Sequence, residues 1–125
     1  MVYDLMYIEL KTGYADDGPA WIGYVMTSKS GKTIYFNDHA FQRWNSPSGN
    51  YHDLETNEEY WISGVKKREG NRHWAGHGTI MVDRRAVPEL LDIIGEETLP
   101  HLFEVVDIED RFPVERVASL LNQKR

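Results

Sequence analysis

The chain has 125 residues, 41% of them hydrophobic and 27% charged, and carries a formal charge of −6 at neutral pH. That length and balance describe one folded domain with a core of its own rather than a disordered segment. The acidic excess argues against whole-surface binding to nucleic acid or an anionic membrane. The absence of cysteine excludes disulfides, thiolate catalysis and zinc–sulfur sites.

A chain without cysteine suits a reducing cytoplasm. Its first residues, MVYDLMYIELKTG, lack the basic start and apolar run of a signal peptide. No apolar segment approaches the roughly 20 residues needed to cross a bilayer. The expectation is a soluble cytoplasmic protein with no membrane partner.

Composition changes near Asp83. Thirteen of the fifteen aromatic residues lie in positions 1–83, and aromatic and β-branched richness favours strands. The first two-thirds should therefore be sheet and the remainder mainly helix. Val2–Leu10 reads as a strand with apolar residues on both faces, which places it inside a sheet. A loop follows at Thr12–Pro19, then a strand at Ala20–Thr27 and a glycine turn at Ser28–Lys32. Thr33–Asn37 is a third strand, continuing with interruptions to Trp44, and NSPSG at Asn45–Gly49 is loop.

Asn50–Asp83 reads as three consecutive antiparallel strands. The first turn falls at Thr56-Asn57-Glu58, where Asn57 tolerates positive φ. The second falls at Arg68-Glu69-Gly70-Asn71. Glu59–Lys67 should then be the central strand of this meander, with either Trp61 or Ile62 deeply buried. Beyond it, Pro88 fits only the first turn of a helix, so a short helix should begin near Ala86 or Val87 and stop at Gly95. Leu102–Ile108 is a seventh strand or a buried extended segment. Pro113 opens a last helix, whose apolar face is Val114, Val117, Leu120 and Leu121.

Several motifs carry chemistry. Ser30-Gly31-Lys32-Thr33 imitates the end of a phosphate-binding loop, but Met26 stands where the motif needs glycine and a strand follows instead of a helix. It is a hairpin turn. His73 and His77 stand about 13 Å apart on a regular strand, too far to share a zinc about 2 Å from each nitrogen without a bend at Ala75–Gly78. His52 is a third histidine within reach only through the fold. No metal and no cofactor is implied. Asp16-Asp17 offers a lone acidic pair in a loop, which carries little. Lys66-Lys67-Arg68, with Lys29 and Lys32, forms a basic edge that suits single-stranded nucleic acid or simply protects hairpin edges. The net charge favours protection.

Arg72-His73-Trp74 concentrates a flat cation, a group that titrates near neutral pH and a stacking face. These are the materials of an anion, sugar or nucleotide pocket. The plainer reading makes Trp74 a core residue and pairs Arg72 with Glu55, Glu58 or Glu59 across the sheet.

The segments DGPAWIG (Asp17–Gly23), SGKTIYF (Ser30–Phe36), EYWISGVKK (Glu59–Lys67) and RHWAG (Arg72–Gly76) together resemble a family of short, uncharacterised bacterial proteins. Some are labelled thiamine-dependent deoxyxylulose phosphate synthases. Enzymes of that kind are several times longer and carry a glycine–aspartate motif for the diphosphate and metal, which this chain lacks. The resemblance implies a bacterial origin and a one-domain shape, and it transfers no catalytic residues.

The sequence thus predicts an α+β domain: a mainly antiparallel twisted sheet, or a partly open small barrel, of about six strands with C-terminal helices packed on it. The functional expectation is a small binding or regulatory module using Trp61, Arg72, His73, Trp74 and His77. Its partner would be a small anionic ligand or a protein, a second copy of the chain included. The alternative is a small enzyme acting on a phosphorylated or nucleotide-like substrate, with Arg72 holding an anion and His73 or His77 as acid–base.

Overall fold

The computed structural model describes residues 2–11, 19–44, 49–65, 79–101, 103–109 and 111–123. Among these residues eight strands run in chain order: β1 (Val2–Leu10), β2 (Ala20–Thr27), β3 (Thr33–Phe36), β4 (His39–Arg43), β5 (Tyr51–Asp53), β6 (Glu59–Gly64), β7 (Ile80–Asp83) and β8 (Phe103–Val106). Helix α1 (Val87–Ile94) lies between β7 and β8, and α2 (Val114–Gln123) follows β8.

The first six strands form an up-and-down barrel, each antiparallel to its neighbour in sequence, closed where β6 returns to β1. This corrects the expectation of a partly open barrel. Closure comes from β1, which pairs with β2 from Val2 to Glu9 and with β6 from Met6 to Leu10. Being apolar on both faces, it can serve as the seam. Closure removes the free edges that β1 and β6 would otherwise present to other chains.

The strand count also differs, for a local reason. Asn37 and Asp38 both have positive φ, 48° and 67°, and make the two-residue turn of a tight hairpin. Thr33–Trp44 is therefore two strands rather than one interrupted strand. At Thr56–Glu58 the expected turn forms, with Asn57 at φ 64°. The carboxylate of Asp53 accepts hydrogen bonds from the amides of Glu55 (2.8 Å) and Thr56 (3.2 Å), fixing the chain as it leaves β5.

The expected three-strand meander is overturned at its third member. β6 lies between β5 and β1, whereas β7 runs parallel to β2 and to β8. The turn expected at Arg68–Asn71 lies outside the described residues. β2 divides its second edge, pairing with β7 over Ala20–Ile22 and with β3 at Met26 and Thr27. Between the two lies Gly23, over which the Phe36 ring sits. A Cβ added there would come 2.7 Å from Phe36 Cε1.

Alternation sorts the side chains into layers. Ile8, Val25, Ile34, Phe36, Phe41, Tyr51, Tyr60 and Ile62 fill the barrel. On the other side of β1 and β2, the residues Tyr7, Ala20 and Ile22 pack with Ile80, Val82, Ala86 and Leu90 of the β7–α1 unit. Asp83 caps a short 3-10 turn at Arg84–Ala86, and α1 then begins at Val87 with Pro88 in its first turn and ends at Gly95 in the left-handed conformation. Leu102–Ile108 contains a strand, β8. On the β3–β4 side, α2 inserts Val117 among Met26, Tyr35, Ala40 and Leu54, with Leu120 alongside. Val114 remains 45% exposed, and the Leu121 side chain lies outside the described set. No helix among the described residues is long and apolar enough to cross a membrane.

Candidate functional site

Of the five residues expected to bind a ligand, only Trp61 is described. It projects from the outer face of β6 opposite Glu9 and is 38% exposed, while its neighbour Ile62 is buried in the barrel. Arg72, His73, Trp74 and His77 lie outside the described residues, as do Asp16-Asp17 and Lys66-Lys67-Arg68. Glu55, one of the carboxylates expected to pair with Arg72, is held by Arg116 through two hydrogen bonds of 2.8 and 2.9 Å.

Lys32 leads to a different place. The register Thr33↔Gln42 brings the Ser28–Lys32 turn beside the end of β4 at one rim of the barrel. Gly31 takes φ 77°, which lets the turn reverse. Side-chain bonds hold its shape: Ser28 Oγ accepts from the Thr33 amide (3.1 Å) and Ser30 Oγ from the Lys32 amide (3.3 Å). Between turn and strand is a cleft of about 300 Å³ lined by Gly31, Lys32, Gln42 and Arg43. Gln42 Nε2 donates to Thr33 Oγ1 (3.0 Å), which ties the two walls together. The Arg43 guanidinium lies 5.5 Å from the centre of the Tyr51 ring, a support that leaves its donors available.

Charge pairing makes this rim distinctive. Among the described residues, Lys11 pairs with Glu9, Arg84 with Asp107, Arg85 with Asp83, and Arg111 with Glu109. Arg116 bridges Asp38 and Glu55. The described cations without a carboxylate partner are Lys29, Lys32 and Arg43, all in the β2–β3 turn or at the end of β4. In a chain of net charge −6, acidic partners are not scarce. A group of cations left unneutralised creates a local positive potential against the molecule's overall charge.

Trp44 follows Arg43 directly and faces the opposite way, with 49% of its surface exposed and its ring 5.0 Å from that of His52. Its amide donates to Asn50 O (3.0 Å), and the Asn50 amide donates in turn to Tyr60 O (3.0 Å). The Asn50 carboxamide is turned into the sheet, accepting from Ile62 N and donating to Ile62 O, both at 2.8 Å. It extends the ladder where β5 has ended. Trp44 and Trp61 thus stand on the outer surface two strands apart, with Asn50 and His52 on the chain segment between them.

Two further clusters are built for stability. Buried Glu9 accepts from the Tyr7 hydroxyl (2.5 Å) and from Lys11 Nζ (3.1 Å), so its charge is met inside the fold. At the other rim His39 Nδ1 bonds Asp53 Oδ2 at 2.9 Å, with Asp53 wholly buried and His39 partly exposed. That hydrogen bond raises the His39 pKa above its ordinary value, against the lowering effect of burial. Burial pushes Asp53 upward, but the His39 bond and the two turn amides outweigh it and hold the carboxyl below its usual range. Both oxygens of Asp53 are thereby occupied. Among the described residues no group of three or more histidines and carboxylates is placed to hold a metal ion.

Comparison of the chain with protein-family models, curated proteins and solved structures finds no match.

Sequence reasoning overlooked Arg43-Trp44. The pair has the same basic–aromatic character as Arg72-His73-Trp74, but reading Thr33–Trp44 as one strand hides the hairpin that carries Arg43 back to Lys32. Asn50 gave no sign of its role, because a carboxamide serving as a strand extension looks like any loop asparagine.

Proposed function

We propose that this protein is a small binding module that takes a small anionic ligand at the barrel rim between Lys32 and Arg43. The observation that carries this reading is the concentration there of the described cations that lack carboxylate partners. Arginine offers a planar fork and lysine a mobile point charge, the two complementary ways of holding a phosphate or carboxylate. The cleft has the volume of a small-molecule site. Among the described residues no carboxylate pairs with these cations, and the Tyr51 ring supports the Arg43 guanidinium at 5.5 Å. His39–Asp53 offers no equivalent, since its carboxylate is already spent on the turn.

Isothermal calorimetry with inorganic pyrophosphate at low ionic strength tests this. Wild-type protein should bind a single equivalent. Lys32→Glu and Arg43→Glu should each weaken binding by at least about tenfold, the loss expected when one charge-assisted contact becomes a repulsion. Both positions lie at the surface, so the melting temperature should barely move. Absence of binding to the wild type, or binding untouched by both substitutions, would refute the proposal.

A further inference from the structure

Binding the anion uses only part of what this rim presents. Next to Arg43, but on the outer side of the sheet, stands the half-exposed Trp44. Beyond it lies Trp61, a second exposed indole two strand spacings away, about 10 Å. The Asn50 carboxamide between their strands is committed to Ile62 N and O. The His52 ring, on β5, stands 5.0 Å from the Trp44 ring and steadies the indole from that side.

We infer that the ligand is a mononucleotide, its phosphate held by Lys32 and Arg43 and its base laid against the exposed face of Trp44. The inference rests on the anion site proposed above and adds the group attached to the anion. Three features fit together. Arg43 ends β4 and Trp44 follows it directly, on the opposite face, so a ligand crossing the rim meets both. The aromatic surface is tryptophan, which has the largest stacking area of any side chain. The cleft volume of about 300 Å³ fits a single small ligand rather than a polymer. A net acidic chain also disfavours long polyanions, whose outlying phosphates would meet the acidic surface.

The experiment compares three probes on the wild-type protein by quenching of tryptophan fluorescence and by calorimetry: adenosine 5′-monophosphate, ribose 5-phosphate and adenosine. The nucleotide should bind at least about fivefold more tightly than ribose 5-phosphate, the low end of what one stacked base contributes. Adenosine alone should bind more weakly than the nucleotide. Trp44→Ala should remove the nucleotide's advantage while leaving the affinity for ribose 5-phosphate within about twofold. Equal affinity for the nucleotide and ribose 5-phosphate would overturn the base site and leave the anion site standing. Failure of both phosphates to bind would overturn the two together. A single-stranded oligonucleotide that binds far more tightly than the mononucleotide would overturn the assignment of a single-nucleotide ligand.

Discussion

Asp53 has no exposed side-chain surface, yet it accepts hydrogen bonds from His39 and from two turn amides. Its pairing with His39 makes part of the barrel's stability depend on pH. His39 has a raised pKa in the folded state, so its contribution is complete below about pH 6.5 and is lost as pH rises through the folded value. Asp53 has a lowered pKa, so its contribution is present above about pH 4 and is lost as pH falls through the folded value. A His39→Asn protein should therefore melt below the wild type by a margin that is largest near pH 5.5 and much smaller near pH 9. A margin that is constant or grows toward pH 9 would show that the pair is not charged in the native state. At this scale the sequence was partly legible. Asn57 announced its positive φ, because it stands between two recognisable strands. Asn37-Asp38 did not, because the strands on either side of it share one apolar character.

At the scale of elements, α2 is the part whose docking can be tested most simply. Val117 is fully buried against the outer side of β3 and β4, whereas Val114, one turn earlier, is 45% exposed. Arg116 between them reaches Asp38 in one turn and Glu55 in another, and the Asp38 amide donates to Arg111 O (2.8 Å). The helix is thus pinned by packing on one face and by charge at the hairpin tips. Val117→Ala should cost roughly 2 kcal/mol through lost burial and the cavity left behind, while Val114→Ala should change stability by no more than about 0.5 kcal/mol. Equal costs in urea denaturation would mean that the helix is not seated as described. Both helices could be read beforehand, since Pro88, Gly95 and Pro113 mark ends by conformational necessity. The pairing of β7 could not. Ile80–Asp83 is a short apolar run that suits any interior position, and nothing within it says whether its neighbour is the preceding strand or β2. Long-range pairing is decided by where the chain between them leads, and periodicity is silent on that.

At the scale of the whole molecule, the closed barrel satisfies the main chain of its own strands and leaves β8 as the sheet's edge among the described residues. Recognition by the barrel itself therefore falls to side chains at its rims and on its outer face. One rim is occupied by Asp53 and its hydrogen-bonded neighbours. The other carries Lys29, Lys32 and Arg43 without acidic partners, on a molecule whose overall charge is −6. Such an arrangement attracts anions to one place and repels them elsewhere, and its strength should fall as salt approaches physiological concentration. The expectation from sequence placed the anion at Arg72 instead, because that triplet is compact along the chain, whereas Lys32 and Arg43 become neighbours only through the β3–β4 hairpin. The two locations make separable claims. Nitrogen-15-labelled wild-type protein titrated with inorganic pyrophosphate, followed amide by amide, distinguishes them directly. The account predicts saturating shifts centred on Gly31, Lys32, Gln42 and Arg43, with smaller ones at Trp44 and none at Arg84, Arg111 or Arg116. Shifts centred on Arg72–His77, or spread over all the arginines alike, would contradict it.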